Sequence, residues 1–299
     1  MSLVFALGAT IWAFWPVLET LNVRWSTDPQ YSHAYLAPFA VALVSWIRRG
    51  SFPKTEVSPS WLGVAILVVA AAVRFAGDWY ALGFLDGVAF VLAITGLVPL
   101  LYGRAVFRWA LPGLILLWFM APPPYKVHAA MAAPLQRIAA NGTVYALQTA
   151  GRPAVAEGQT IILTGRSLNV VDECCGLGMI FVFFFLACVV AAISTRPLFD
   201  RLALIVAAPA IGVTCNILRI AAAAEAAAIG GPELQKQVHD IGGWLMAPIA
   251  IAMNFMLLAL LGFLFPPVQK AEEEPLSLAF QLAGSESPAS GIKTKGARK

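Results

Sequence analysis

Charge is what this sequence has least of. Only 12% of its 299 residues are charged while 60% are hydrophobic, against about a quarter charged in a soluble domain. A chain so composed reads as a polytopic membrane protein, whose helices are organised by lipid and not by a water-excluded core. A net charge of +4 argues for topology signals and against a nucleic-acid partner. Cysteine is scarce too: four residues make no disulfide framework. Cys188 and Cys215 fall inside apolar runs as small buried thiols, and the neighbours Cys174 and Cys175 are too close to bridge without strain. Three histidines with no C-x-x-C or H-x-x-x-H spacing offer no metal centre. The GLG at 176–178 lacks the strand-turn-helix context of a nucleotide fingerprint, and no internal repeat is visible. No metal and no cofactor are therefore expected. The N-terminus lacks a basic leader and an A-x-A-like site, and carries Trp12, Trp15 and Pro16. It reads as a retained span and not as a signal peptide.

What the sequence has is apolar runs. Crossing about 30 Å of hydrocarbon takes about 20 residues at 1.5 Å each. Eight segments qualify: 3–22, 33–48, 60–77, 82–102, 105–122, 175–194, 200–226 and 242–265. Arg48, Arg49 and Lys54, then Arg104 and Arg108, then Arg196 and Arg201, then Lys270 with the basic tail all fall on one side if both termini are cytoplasmic. The expected fold is thus all-α, with about eight transmembrane helices over 1–267 and a mostly disordered cytoplasmic tail over 268–299.

An outer segment over 122–174 interrupts the helices before span six. Pro122-Pro123-Pro124 end span five. Met131, Leu135, Ile138, Val144 and Leu147 recur at helical spacing, which predicts one or two amphipathic helices at the interface, with His128 among them. Gln159 to Val171 reads as a short β-hairpin around Gly165 that leads into Cys174.

Counting helical rise from the basic anchors assigns depth. Cys174 precedes Arg196 by 22 residues, about 33 Å, and Arg219 follows Arg201 by 18, about 27 Å. His33 falls within the outer leaflet, and His239 sits in the outer loop before span eight near Trp244. A thiol ahead of a helix gains from the helix dipole, and Gly176 and Gly178 permit close backbone approach. Arg219 inside a span faces the bundle interior or a polar cavity, with Asn216 on its own face and Glu225 the nearest acid. Asp240 beside His239 can orient it as a base. Arg74 and Asp86, on spans three and four, are candidate partners of one another.

These residues resemble the exosortase/archaeosortase family of membrane transpeptidases. The resemblance rests on Tyr31-Ser32-His33, Cys174-Cys175-Gly176, Asn216-Ile217-Leu218-Arg219-Ile220 and His239, in that order over about 25–260. The family's catalytic Cys, Arg and His correspond to Cys174, Arg219 and His239. Cys175 stands where the family usually has Ser, so Cys174 is preferred as nucleophile, and Ala34 stands where Gly often follows the early His. Cys175, Gly176, Asn216, His33 and Asp240 would bind substrate or support the catalytic set. The resemblance implies a cysteine protease/transpeptidase in the cell inner membrane, its site facing the periplasm or cell exterior. It would cleave membrane-anchored proteins bearing a C-terminal tripartite sorting signal: a Pro-Glu-Pro-like motif, a membrane helix and a basic end. The substrate would then pass to an envelope acceptor.

Two other classes fit fewer residues. A transporter or flippase would line a path with Arg74, Asp86 and Arg219, and predicts a repeat that is not seen. A vicinal-thiol oxidoreductase needs a resolving cysteine in the outer layer, yet Cys188 lies 14 residues past Cys174, about 21 Å along a helix.

Overall fold

The first apolar run does not form one straight helix. In the computed structural model, which describes residues 2–54, 58–163, 166–169 and 176–265, α1 (Ser2–Ala13) stops at Phe14 and α2 (Trp15–Thr27) leaves it at 74°. Pro16 in the first turn of α2 is the local cause, since proline starts helices well and continues them badly. Asp28 then caps a 3-10 segment, Pro29–Leu36, by accepting from the Gln30 amide at 3.0 Å. The second run becomes helical only at α3 (Ala37–Ile47), so His33 rides on the 3-10 segment and not on the α-helix expected from residue 33. Met1–Leu260 form one compact unit and Leu261–Lys299 a second.

α4 (Trp61–Trp79) runs antiparallel to the start of α5 (Phe84–Leu116) over a register of small residues. A methyl at Gly96 would lie 3.1 Å from both Ile66 and Leu67, one at Gly77 would lie 3.2 Å from Leu85, and Gly63 abuts the Leu100 backbone. Small residues of this kind let membrane helices approach closely. Arg74 and Asp86 attract one another as charges across α4 and α5, without a direct salt bridge among the described residues. The Arg74 guanidinium lies over the Phe14 ring at 4.9 Å, and both Arg74 Nη1 and Asp86 Oδ1 are buried without a hydrogen-bond partner.

Two long helices double back on themselves. α5 breaks at Gly103 (φ +86°) and α8 (Leu198–Leu264) at Gly231 (φ +76°), backbone that residues with a Cβ adopt at a cost. Across the first break, a methyl at Gly87 would lie 3.4 Å from Ala121 Cα, although a straight helix would hold them about 51 Å apart. Across the second, Gly242 touches Arg219 and Cys215 Sγ lies 3.6 Å from Met253 Sδ, where a straight helix gives about 35 Å or more. Both breaks fall between span pairs expected from sequence. Trp61–Trp79, Phe84–Met120 and Leu198–Leu264 are long and apolar enough to cross a membrane, as is the bent α1–α2 pair taken together; α7 (Leu177–Ile193) is a shorter apolar helix.

The helix ends sort into two levels. At one, Arg48 donates to the Ala192 carbonyl at 3.2 Å and Trp109 Nε1 to the Arg48 carbonyl at 3.2 Å, which gathers the ends of α3, α7 and the second arm of α5. At the other, Trp25 Nε1 donates to the Met120 carbonyl at 3.2 Å, and a methyl at Gly178 would lie 3.0 Å from Gln30 Cα.

The outer segment is one helix, α6 (Tyr125–Thr149), and a three-stranded antiparallel sheet. Its buried face is made by Ala132, Ala139, Ala140, Thr143, Val144 and Leu147. Met131 and Ile138 of the expected apolar stripe stay exposed. The expected hairpin is β2 (Thr160–Leu163) with β3 (Arg166–Asn169), and β1 (Ala154–Glu157) adds a strand on β2 through a turn at Gly158. Ala154 and Ile161 of the sheet bury against α6 together with Ile220 and Ala224 of α8, so this layer is seated on the first arm of the α8 hairpin.

Candidate active site at the head of helix α7

Cys174 and Cys175 lie outside the described residues, so the site is built from what surrounds them in the chain and in space. The first described residue after them is Gly176, in the left-handed region at φ +87°, immediately before α7. Its missing side chain is where Asn216 fits: a methyl at Gly176 would lie 2.7 Å from Asn216 Nδ2, and Asn216 is almost wholly buried. One turn deeper, a methyl at Gly212 would lie 3.3 Å from Ile180 Cα. The first arm of α8 therefore runs antiparallel to α7 in tight contact, and Arg219 comes one turn beyond Asn216, past the head of α7.

Arg219 and His239 are brought together by the break at Gly231. The aliphatic stem of Arg219 lies across the second arm of α8: a methyl at Gly242 would meet its Cγ at 2.9 Å, and one at Gly243 its Nη1 at 3.6 Å. Positions 242 and 243 share a helix face with His239, three and four residues earlier. The His239 ring Nδ1 lies 3.4 Å from Asp240 Oδ1, with the imidazole half-buried and the carboxylate exposed. Glu225 is not Arg219's acid: it pairs with Arg152 at 3.0 Å, between α8 and the loop after α6. The head of α7 contributes the partial positive charge of a helix N-terminus, and the Arg219 guanidinium is half-buried.

Other elements hold this corner in place. Gly142 on α6 abuts the Ile217 side chain, and Thr143 Oγ1 donates to the Ile217 carbonyl at 3.5 Å. His128 lies on α6, the helix expected to carry it, and is buried there, where it bonds through Nε2 to Gln30 Oε1 at 2.9 Å and ties α6 to the 3-10 segment. His33 sits on that segment in an aromatic box of Phe119, Phe181 and Phe185, stacked on Phe181 at 5.9 Å. It faces the first turns of α7. Gly242 and Gly243 were not singled out in the sequence, where a Gly-Gly pair one turn after His239 is the signal that marks them. Cys188 and Cys215 are free thiols. Among the described residues, no three of His, Cys, Asp and Glu converge on a point.

The family of transmembrane exosortases (Exosortase_EpsH) matches residues 25–256, which takes in the 3-10 segment, α7 and both arms of α8. The protein is a multi-pass membrane protein, and it belongs to the exosortase family, whose members act in general on sorting signals at the membrane. No curated protein and no solved structure matches the chain.

Proposed function

We propose that the chain is a cysteine transpeptidase that cleaves C-terminal sorting signals of secreted, membrane-anchored proteins and hands the product to an envelope acceptor. The observation that carries this reading is the packing of Arg219 across Gly242 and Gly243, beside His239, with Asn216 locked against Gly176. Cys175 is one peptide bond from Gly176 and Cys174 two, so covalent geometry keeps both α-carbons within about 7–8 Å of that glycine.

In the proposed mechanism the Cys174 thiolate attacks the scissile carbonyl and forms a thioester. Arg219 and the amides at the head of α7 stabilise the oxyanion, while His239, oriented by Asp240, protonates the departing amine. An acceptor nucleophile then attacks the thioester and regenerates the thiolate; water in that role makes the reaction a hydrolysis. Cys175, Gly176, Asn216 and His33 would support this set by packing. Eight spans, with both termini cytoplasmic and the site at the outer face of the inner membrane, fit the two helix hairpins and the meeting of the Arg48, Trp109 and Ala192 ends. We take 1–267 as the catalytic domain and 268–299 as a tail.

The test is processing of a membrane-anchored substrate with a Pro-Glu-Pro-like motif, a membrane helix and a basic end in cells carrying each variant. Cys174→Ala should leave the precursor uncleaved at normal enzyme level. Arg219→Ala should slow cleavage by about 10²–10³ and His239→Ala by about 10²–10⁴. Normal processing in Cys174→Ala with loss in Cys175→Ala would transfer the nucleophile's role to Cys175.

A further inference from the structure

The first turns of α7 are gripped from two sides. Gly178 and Ile180 are two residues apart, about 200° around the helix, so they face nearly opposite ways. On one side a methyl at Gly212 of α8 would lie 3.3 Å from Ile180 Cα. On the other a methyl at Gly178 would lie 3.0 Å from Gln30 Cα and 3.4 Å from Gln30 Cβ and Cγ. Gln30 is thus one jaw of a clamp whose other jaw is the first arm of α8.

This jaw is itself fixed by polar bonds. Asp28 Oδ1 accepts from the Gln30 amide at 3.0 Å and so sets the start of the 3-10 segment. Gln30 Oε1 lies 2.9 Å from His128 Nε2, with the two residues only 6% and 8% exposed. A carbonyl oxygen only accepts, so His128 Nε2 carries the proton. Burying two polar groups has a desolvation cost that an apolar pair filling the same space avoids. A buried hydrogen bond is directional, however, and specifies one arrangement where apolar contact tolerates several. The arrangement specified is that of the 3-10 segment against α6 and, through Gly178, that of the first turn of α7.

We propose that Gln30 and His128 are a positioning pair for the acyl transfer. Their bond sets the direction of the first turn of α7, and with it the amides that receive the oxyanion and the chain leading back to Cys174. The inference rests on the transpeptidase reading and adds two residues that act through α7. The oxyanion exists only after attack, so loss of the pair weakens the transition state and leaves substrate capture alone.

The test measures kcat and KM of the full-length protein in vesicles, with a substrate carrying the sorting signal. Gln30→Met, close to glutamine in shape, and His128→Phe should each lower kcat by about 10² with KM unchanged. The double variant should lose no more than either single one, as members of one bond do. Gln30→Glu keeps an acceptor for Nε2–H and should recover most of the rate, while Gly178→Ala, which presses on the Gln30 backbone, should lose it. Alkylation of Cys174 by iodoacetamide, read without substrate by peptide mass spectrometry, should slow several-fold in Gln30→Met and His128→Phe. A rise in KM at unchanged kcat, losses that multiply in the double variant, or a fall in kcat seen only with a lowered unfolding midpoint would overturn the proposal. Unchanged alkylation of Cys174 would overturn it whatever the substrate. Slowed alkylation together with normal processing by Cys174→Ala would instead sink the transpeptidase reading and leave the positioning of the thiol standing.

Discussion

Arg219 is seated by the absence of one side chain, at Gly242. Its stem presses on Gly242 closely enough that any Cβ there must move it, whereas Gly243 leaves ordinary contact distance to the guanidinium. Gly242→Val should therefore lower cleavage toward the level of Arg219→Ala, by about 10²–10³, while Gly243→Ala stays near the parent enzyme. Equal activity in both variants would show that the guanidinium's placement does not matter. Gly176 makes a second separable case. Gly176→Ala combines a left-handed backbone, which costs about 1–2 kcal/mol, with crowding of the Asn216 amide, which adds about 1–3 kcal/mol. Thermal unfolding in detergent should show Gly176→Ala/Asn216→Ala recovering the crowding part alone; full recovery would mean the backbone carries no strain. Arg219, Asn216 and His239 were legible as residues because polar groups inside apolar runs are conspicuous. Their glycine seats were not, since a glycine's partner lies on another segment and leaves no periodic trace.

At the scale of elements, the breaks were easier to find than the helices' ends. The sequence places span boundaries near 102–105 and between 226 and 242, and the structure breaks at Gly103 and Gly231. Helix nevertheless continues to Gly230 and resumes at Pro232, across a stretch that reads as loop by hydropathy. Hydropathy reports burial in lipid, not helicity: Glu233, Leu234, Gln235 and Lys236 are good helix formers, and Pro232 suits a first helical position. The added strand β1 was missed because Ala154–Glu157 is short and weakly alternating, and pairing with β2 supplies its order. The two breaks should respond differently to alanine. Gly231 has open space, so Gly231→Ala should cost only the backbone term of about 1–2 kcal/mol. Gly103 packs against the Ser58 carbonyl, so Gly103→Ala should lower the unfolding midpoint distinctly more. A larger loss at Gly231 would contradict the hairpin geometry.

For the whole molecule, scarcity of charge identified the class, and the few charges present oriented it. The basic residues expected on one face include Arg48, whose helix end meets those of α3's neighbours at Trp109 and Ala192. The proposed topology predicts that a thiol reagent unable to cross membranes labels Glu233→Cys in intact cells, above the background of native thiols, and Thr195→Cys only after permeabilisation. The reverse pattern would invert the protein and move the site to the cytoplasm. What neither composition nor periodicity revealed is how the 3-10 segment, α6 and the α8 hairpin close around the head of α7, because those contacts join segments far apart in the chain, 98 residues in the Gln30–His128 bond.

The most direct test of the central claim is to trap the covalent intermediate. Full-length protein is mixed with a substrate carrying the sorting signal, quenched in acid and mapped by peptide mass spectrometry. The account predicts a hydroxylamine-sensitive adduct, with the mass of the substrate's N-terminal cleavage fragment, on the Cys174 thiol; the adduct should be absent in Cys174→Ala and accumulate poorly in Arg219→Ala. An adduct on Cys175, or cleavage that persists in Cys174→Ala with no adduct at all, would contradict it.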